Sequence, residues 1–338
     1  MSDPARGGHW IRPTPTGLYV EPGDFYIDPG RPVGRAVISH GHSDHARSGH
    51  DHVLATRETL AIMAGRHGQD CAGAMQAVAY GESLVIGGVT LRLAPAGHIL
   101  GSAQIVLEHA GQRIVVSGDY KRRPDPTCPP FEAVPCDVFI TEATFGLPVF
   151  RHPPDRDEIA KLLATAALFP ERAMLVGVYA LGKCQRVIAL LRQAGYDKPI
   201  FLHGQLGAMC DVYRRCGVEL GELRPVIGMI KEGLAGAIVL APPGAAAERW
   251  ARRLPEPLVA QASGWMRVKQ RAKQSGVELP LVISDHADWD ELLQTIDEIE
   301  APEIWVTHGR EEALVHAAKA RGRKARALAL VGYDEEGS

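Results

Sequence analysis

The 338-residue chain has only six cysteines, Cys71, Cys128, Cys136, Cys184, Cys210 and Cys216, and none forms a C-x-x-C pair. Thiols this few and scattered exclude a disulfide framework and fit a reducing compartment. No stretch approaches the roughly 18–20 apolar residues of a membrane span. The opening "MSDPARGGHW" lacks the apolar core of a signal peptide. The formal net charge is −3, so no global basic field advertises a polyanion, although a single cleft can be basic while the total is not. Internal repeats and low-complexity tracts are missing too. These absences predict a soluble cytoplasmic α/β protein with material for one large domain or two ordinary ones.

Apolar patterning divides the chain in three. Residues 1–150 read as strands and turns. "LYVEPGDFYID" is a hairpin about a Pro-Gly turn, "RAVIS" is a short strand, and "HVLATRETLAIMAGRHG" is a strand followed by a helix. "ESLVIGGVTLRLAPAGH", "AQIVLEHAGQRIVVSGD" and "CDVFITEATFG" supply five more strands. Residues 151–284 alternate helix and strand, which predicts a parallel sheet with crossover helices. Residues 285–338 add a helix, the strand "EIWVTHG" and the helix "REEALVHAAKARG", and return to the first domain.

Histidine is the residue out of place. The chain has 14, and five of them fall in "VISHGHSDHARSGHDH", residues 37–52. His40, His42, Asp44 and His45 crowd into six positions directly after an apolar run. Four adjacent side chains cannot easily surround one ion, but imidazoles and a carboxylate can serve two ions about 3.5–4 Å apart. His50, Asp51 and His52 lack that spacing and read as surface or supporting residues. Further ligand types follow other strands: His98 in "APAGHILGS", Asp119 in "IVVSGDYK" and His308 in "IWVTHGR". Strand ends are where α/β folds place their sites.

Taken in order, "HGHSDH", "GH" at 97–98, "SGD" at 117–119 and "TH" at 307–308 resemble the motifs of the metallo-β-lactamase superfamily. Asp28 in "YIDPG" resembles the early Asp that supports the family's metal site. Glu142 in "ITEATFG" and His286 in "ISDHADW" extend the resemblance to the β-CASP nucleases. The compact insert, "SDHADW" and the ending "ALALVGYDEE" look most like bacterial ligase-associated DNA exonucleases.

The resemblance implies an αββα metallo-β-lactamase sandwich over 1–150 and 285–338, with a β-CASP-like α/β cap inserted over 151–284. It implies two divalent ions: zinc is the first expectation, and manganese or iron suit the same donors. His40, His42 and His98 would hold one ion, Asp44, His45 and His308 the other, with Asp119 bridging. A hydroxide shared by the ions would attack phosphorus. His286 would be the general acid and Glu142 would orient it. The implied function is DNA exonuclease in repair, with DNA as substrate and a DNA ligase or other repair proteins as partners.

Two residues depart from the pattern. Asp285 stands before His286, where RNA-processing relatives usually have a small residue. His308 is typical of RNA-processing members rather than eukaryotic-type DNA-repair relatives. A β-CASP ribonuclease is therefore the first alternative. A small-molecule hydrolase is the second, and an inactive scaffold subunit the third; the latter would be expected to lose ligands, and none is missing.

Three segments are candidates for holding a polyanion. Gly182 and Lys183 in "VYALGKCQRV", with Arg186, lie where a strand turns into a helix and could cradle a phosphate. Lys121, Arg122 and Arg123 follow Asp119 directly. "QASGWMRVKQRAKQSG" offers Trp265 for base stacking and Arg267, Lys269 and Arg271 for phosphates. Its other reading is an amphipathic helix.

Overall fold

The computed structural model describes residues 10–274 and 276–328. It is mixed α/β and divides into two units. The first takes the chain up to Pro124, then Cys128–Leu147, then everything from Trp289 onward. The second comprises Asp125–Thr127 and Pro148–Asp288. The expected insert, 151–284, falls inside the second unit. The expected return segment begins at Trp289 rather than at residue 285, so His286 belongs to the second unit.

Two mixed sheets build the first unit. One runs in sequence order through β1 (Ile11–Thr14), β2 (Gly17–Val20), β3 (Phe25–Ile27), β4 (Arg35–Val37), β5 (His50–Ala55) and β6 (Ala72–Ala77). Pairing is antiparallel as far as β3 and parallel beyond it. Helix α1 (Arg57–His67) connects β5 to β6; Thr56 caps it by accepting the Thr59 N–H, and Gly68 ends it.

The other sheet starts as an antiparallel meander, β7 (Ser83–Ile86), β8 (Val89–Pro95), β9 (Ala103–His109) and β10 (Gln112–Val116). It continues in parallel through β11 (Val138–Ala143), β18 (Glu303–Gly309) and β19 (Lys324–Ala327), numbering strands along the whole chain. Both sheets face one apolar core. Leu18, Val20, Phe25, Ile27 and Val37 come from the first, and Leu91, Ile105, Ile114, Ile140 and Trp305 from the second. Sheet faces bury this way because alternate side chains point to one side.

The second unit is a six-stranded sheet in which every neighbouring pair is parallel. Its order is β14 (Leu223–Pro225), β13 (Ile200–Leu202), β15 (Ile238–Ala241), β12 (Met174–Gly177), β16 (Leu258–Ala262) and β17 (Leu279–Leu281). The central strands "MLVG" and "IVLA" are buried almost throughout, as parallel strands covered on both faces must be. Helices α2 (Asp155–Leu168), α3 (Lys183–Gln193), α4 (Gly204–Arg215) and α5 (Lys269–Gln274) belong to this unit, while α6 (Trp289–Ile299) and α7 (Glu311–Ala320) belong to the first. Among the described residues no helix is long and apolar enough to cross a membrane. Most of the quoted ending "ALALVGYDEE" lies outside the described residues.

Strands β1, β6, β14, β16 and β19 are additions to the sequence reading. Segment "AGAMQA" of β6 has weak strand formers and becomes a strand because β5 offers it a ladder from His50↔Ala72 to Ala55↔Ala77.

Candidate metal centre

Six of the seven expected ligands are delivered by short segments directly after strands of the first unit, and His308 lies near the end of β18. His40 and His42 follow β4, His98 follows β8 and Asp119 follows β10. The ligand atoms of His40, His42, His98 and Asp119 all lie within 4.8 Å of one another, and all four residues are buried. One carboxylate oxygen, Asp119 Oδ2, is the focus. It lies 3.3 Å from His40 Nε2, 3.5 Å from His45 Nε2 and 3.8 Å from His98 Nε2. Two ligands on one tetrahedral ion, each at about 2.1 Å, stand about 3.4 Å apart. These spacings therefore fit a cation among the ligands. Asp119 lies close to histidines of both sets.

The remaining expected ligands gather around His45. Asp44 Oδ2 is 3.5 Å from His45 Nε2, and the His45 and His308 rings are 5.2 Å apart. His308 reaches this place through a backbone irregularity. The β11–β18 register shifts so that Glu142 pairs with Thr307 but Ala143 pairs with Gly309. His308 is the extra residue of this bulge and adopts a left-handed φ of 59°. Bulges re-aim side chains in this manner.

Electrostatics favour a cation here. Burial alone would lower the His45 pKa. The carboxylates Asp44, Asp119 and Asp28 outweigh it and push the imidazole up to about 10. Burial likewise raises Asp44, but His45 and His42 outweigh it and leave the carboxyl below its usual range. A positive charge is therefore stabilised where the two ligand sets meet.

The imidazoles are held by groups behind them. Asp28 accepts the Ser39 N–H at 2.7 Å, the Ser39 hydroxyl at 2.5 Å and His45 Nδ1 at 2.8 Å. Because the Ser39 hydroxyl proton goes to Asp28, its oxygen is left to accept from His40 Nδ1 at 3.0 Å. Both histidines thus keep Nε2 for a metal. Ser102 Oγ accepts the His98 and Ile99 N–H groups and fixes that turn. Gly118 precedes Asp119 with φ of 56°, and a Cβ there would lie 2.8 Å from the Ser39 Cβ. Glycine at that position lets the Asp119 turn close over the His40 segment. Glu142, buried on β11, accepts the Tyr120 N–H at 2.7 Å and so anchors the same turn. Ser39 and this use of Glu142 were not read from the sequence; "VISH" gives no sign that its serine bridges a carboxylate and a ligand.

The expected phosphate contacts need correction. Lys121 is 1% exposed, and its ammonium meets Glu291 of α6 at 2.9 Å. Arg122 pairs with Glu298, and the Arg123 N–H bonds Glu291 at 2.9 Å. The run after Asp119 docks α6, because acidic side chains of that helix meet it. Lys183 is 3% exposed and pairs with Asp285. The Gly182 N–H is engaged by Gln185 Oε1 at 2.9 Å. The glycine turn is thus closed by its own helix rather than offered to a phosphate. Arg186, wholly buried, is held charged by Asp125 and Asp155 despite its desolvation. In the third segment Arg267, Lys269, Arg271 and Lys273 are exposed. The Arg271 guanidinium lies 4.3 Å over the Trp265 ring, which is edge-on to Phe150. His286 is buried in the loop between β17 and α6, and its N–H bonds Ser284 Oγ at 3.0 Å.

No family model matches the chain. Relatives do. A protein of Opitutus terrae named as a probable DNA ligase is 29% identical over 324 residues, 92% of this chain and 30% of that protein. A ribonuclease of Thermus thermophilus is 27% identical over 226 residues, 56% of this chain and 51% of its own length. An endoribonuclease of Neurospora crassa is 31% identical over 145 residues, 40% of this chain and 17% of that one. The chain thus spans from about a sixth to half of these relatives. A solved structure of a protein of unknown function from Enterococcus faecalis superposes with a TM-score of 0.60 at 13% identity, covering 88% of this chain and 80% of that one. These relatives and the motifs together support the resemblance to the metallo-β-lactamase superfamily and its β-CASP nucleases.

Proposed function

We propose that the chain is a metal-dependent phosphodiesterase that hydrolyses nucleic acid, a DNA exonuclease serving repair. In this reading the first unit is the αββα metallo-β-lactamase sandwich and the second a β-CASP-like cap. The observation that carries it is the convergence of His40, His45 and His98 on a single oxygen of Asp119.

His40, His42, His98 and Asp119 would hold one divalent ion, and Asp44, His45, His308 and Asp119 a second. Zinc suits these donors best. Bound there, the pair lowers the pKa of a water and offsets charge building on the phosphoryl oxygens. The chain's own residues do the rest. Asp28 and Ser39 keep His45 and His40 in the Nε2-binding tautomer. Asp119, anchored through Glu142 and Gly118, holds the two ligand sets at fixed separation. His286 gives a proton to the leaving oxygen, an expelled alkoxide of high pKa. The exposed cations Arg267, Lys269, Arg271 and Lys273 meet the phosphate backbone.

Support for DNA comes from the relative named as a probable DNA ligase, whose similarity spans 92% of this chain. A ligase or another repair protein is the proposed partner. A second reading, ribonuclease, is favoured by His308 and by the relatives named as ribonucleases. Labelled single- and double-stranded DNA and RNA, with either end phosphorylated, separate the two. Metal-dependent stepwise shortening of DNA supports the first reading. Cleavage confined to RNA replaces it with the second, and inertness toward all four sinks both.

A further inference from the structure

The first turn of α3 brings three polar side chains into the interior of the second unit. Gln185 bonds the Gly182 N–H and the Ala180 carbonyl, each at 2.9 Å. Arg186 binds Asp125 and Asp155. Lys183 binds Asp285, and the two side chains are each 4% exposed. Asp285 is one peptide away from His286. The same loop is fixed on either side: Ser284 Oγ accepts the His286 N–H at 3.0 Å, and Asp288 accepts the His152 N–H at 2.8 Å.

A buried ion pair is weak evidence of stability, because desolvating two charges offsets most of their attraction and an apolar pair of similar volume often serves the fold as well. What such a pair supplies is direction. An ammonium and a carboxylate in low dielectric accept few arrangements of the backbone that carries them. Lys183 sits where α3 leaves the parallel sheet, a rigid origin; Asp285 sits in a loop with no regular structure.

We propose that the Lys183–Asp285 ion pair is a positioning device that fixes the loop carrying His286 and so sets the direction of its imidazole. Lys183 and Asp285 are positioning residues, not catalytic ones. This rests on His286 being the general acid. The "GK" of "GKCQR" and the first two residues of "DHADW" then act as one unit over 102 positions of sequence.

The experiment compares kcat and KM on a DNA oligonucleotide with turnover of bis-p-nitrophenyl phosphate, whose leaving group departs without a proton. Single removal of either charge strands its partner, so the informative variant is the double Lys183→Met/Asp285→Leu. It should keep its metal content and thermal midpoint, and process the nitrophenyl ester at close to the wild-type rate. On DNA its kcat should fall about 10²-fold, the scale of a misplacement near 1 Å, with KM little changed. Adding His286→Ala should slow DNA cleavage no further than His286→Ala alone.

Wild-type DNA cleavage by the double variant, beside a leaving-group-selective defect in His286→Ala, overturns the positioning role. Metal loss, or equal slowing of both substrates by the double variant, reduces the pair to a structural one. Equal slowing of both substrates by His286→Ala removes the general-acid reading, and this proposal with it.

Discussion

Asp28 Oδ2 receives His45 Nδ1 at 2.8 Å, and the same oxygen takes the hydroxyl of Ser39, which in turn meets His40 Nδ1. One carboxylate therefore orients imidazoles from both ligand sets, directly for His45 and through a serine for His40. Ser39→Ala should loosen the ion held by His40, and Asp28→Ala should loosen both. Groups behind metal ligands are typically worth 10–100-fold in affinity. Chelator competition followed by metal analysis measures this; unchanged affinities in both variants would show that the ligands orient themselves.

Two closely spaced ions per chain are the expected occupants around Asp119 Oδ2. Metal analysis after reconstitution, or anomalous scattering from crystals, should find them. Asp44→Ala should lose one ion and slow DNA and bis-p-nitrophenyl phosphate alike. A single ion that survives added metal, with Asp44, His45 and His308 unliganded, excludes the dinuclear arrangement.

Gly118→Ala places a Cβ 2.8 Å from that of Ser39 in a left-handed backbone conformation. The Asp119 turn should lift off the His40 segment, with metal content and thermal stability falling together. Retention of both ions at wild-type affinity would show that the turn relaxes elsewhere.

His286→Ala should keep both ions and bind DNA nearly normally while cleaving it about 10²–10⁴-fold slower. The defect should shrink on the nitrophenyl ester. Loss of an ion in this variant would make His286 a ligand instead.

Changing Arg267, Lys269, Arg271 and Lys273 to Gln should weaken DNA binding and flatten its salt dependence. Each lost contact is worth about 0.7 in the log–log slope for a single strand. Bis-p-nitrophenyl phosphate turnover should not change. Arg271 covers a face of Trp265 at 4.3 Å, so the indole is expected to hold that guanidinium rather than stack on a base. A slope identical to wild type returns this segment to an ordinary solvated face.

By itself the sequence determined which residues could bind a cation and where along the chain they fall. "HGHSDH", His98, Asp119 and His308 are conspicuous as a set, because each could singly be a buried hydrogen-bonded group but together they match one ligand pattern at strand ends. Apolar periodicity likewise marked the parallel sheet of the second unit, since a strand buried on both faces must be apolar throughout. Only the tertiary structure decided how the polar residues pair. Lys121 and Lys183 look in sequence like free cations, and they are buried against Glu291 and Asp285, 170 and 102 positions away. No local pattern encodes such a partner, because an ion pair forms wherever folding brings opposite charges out of water together. The same holds for Ser39, whose role depends on Asp28 arriving from another strand, and for the bulge at His308, which exists only once β18 lies beside β11.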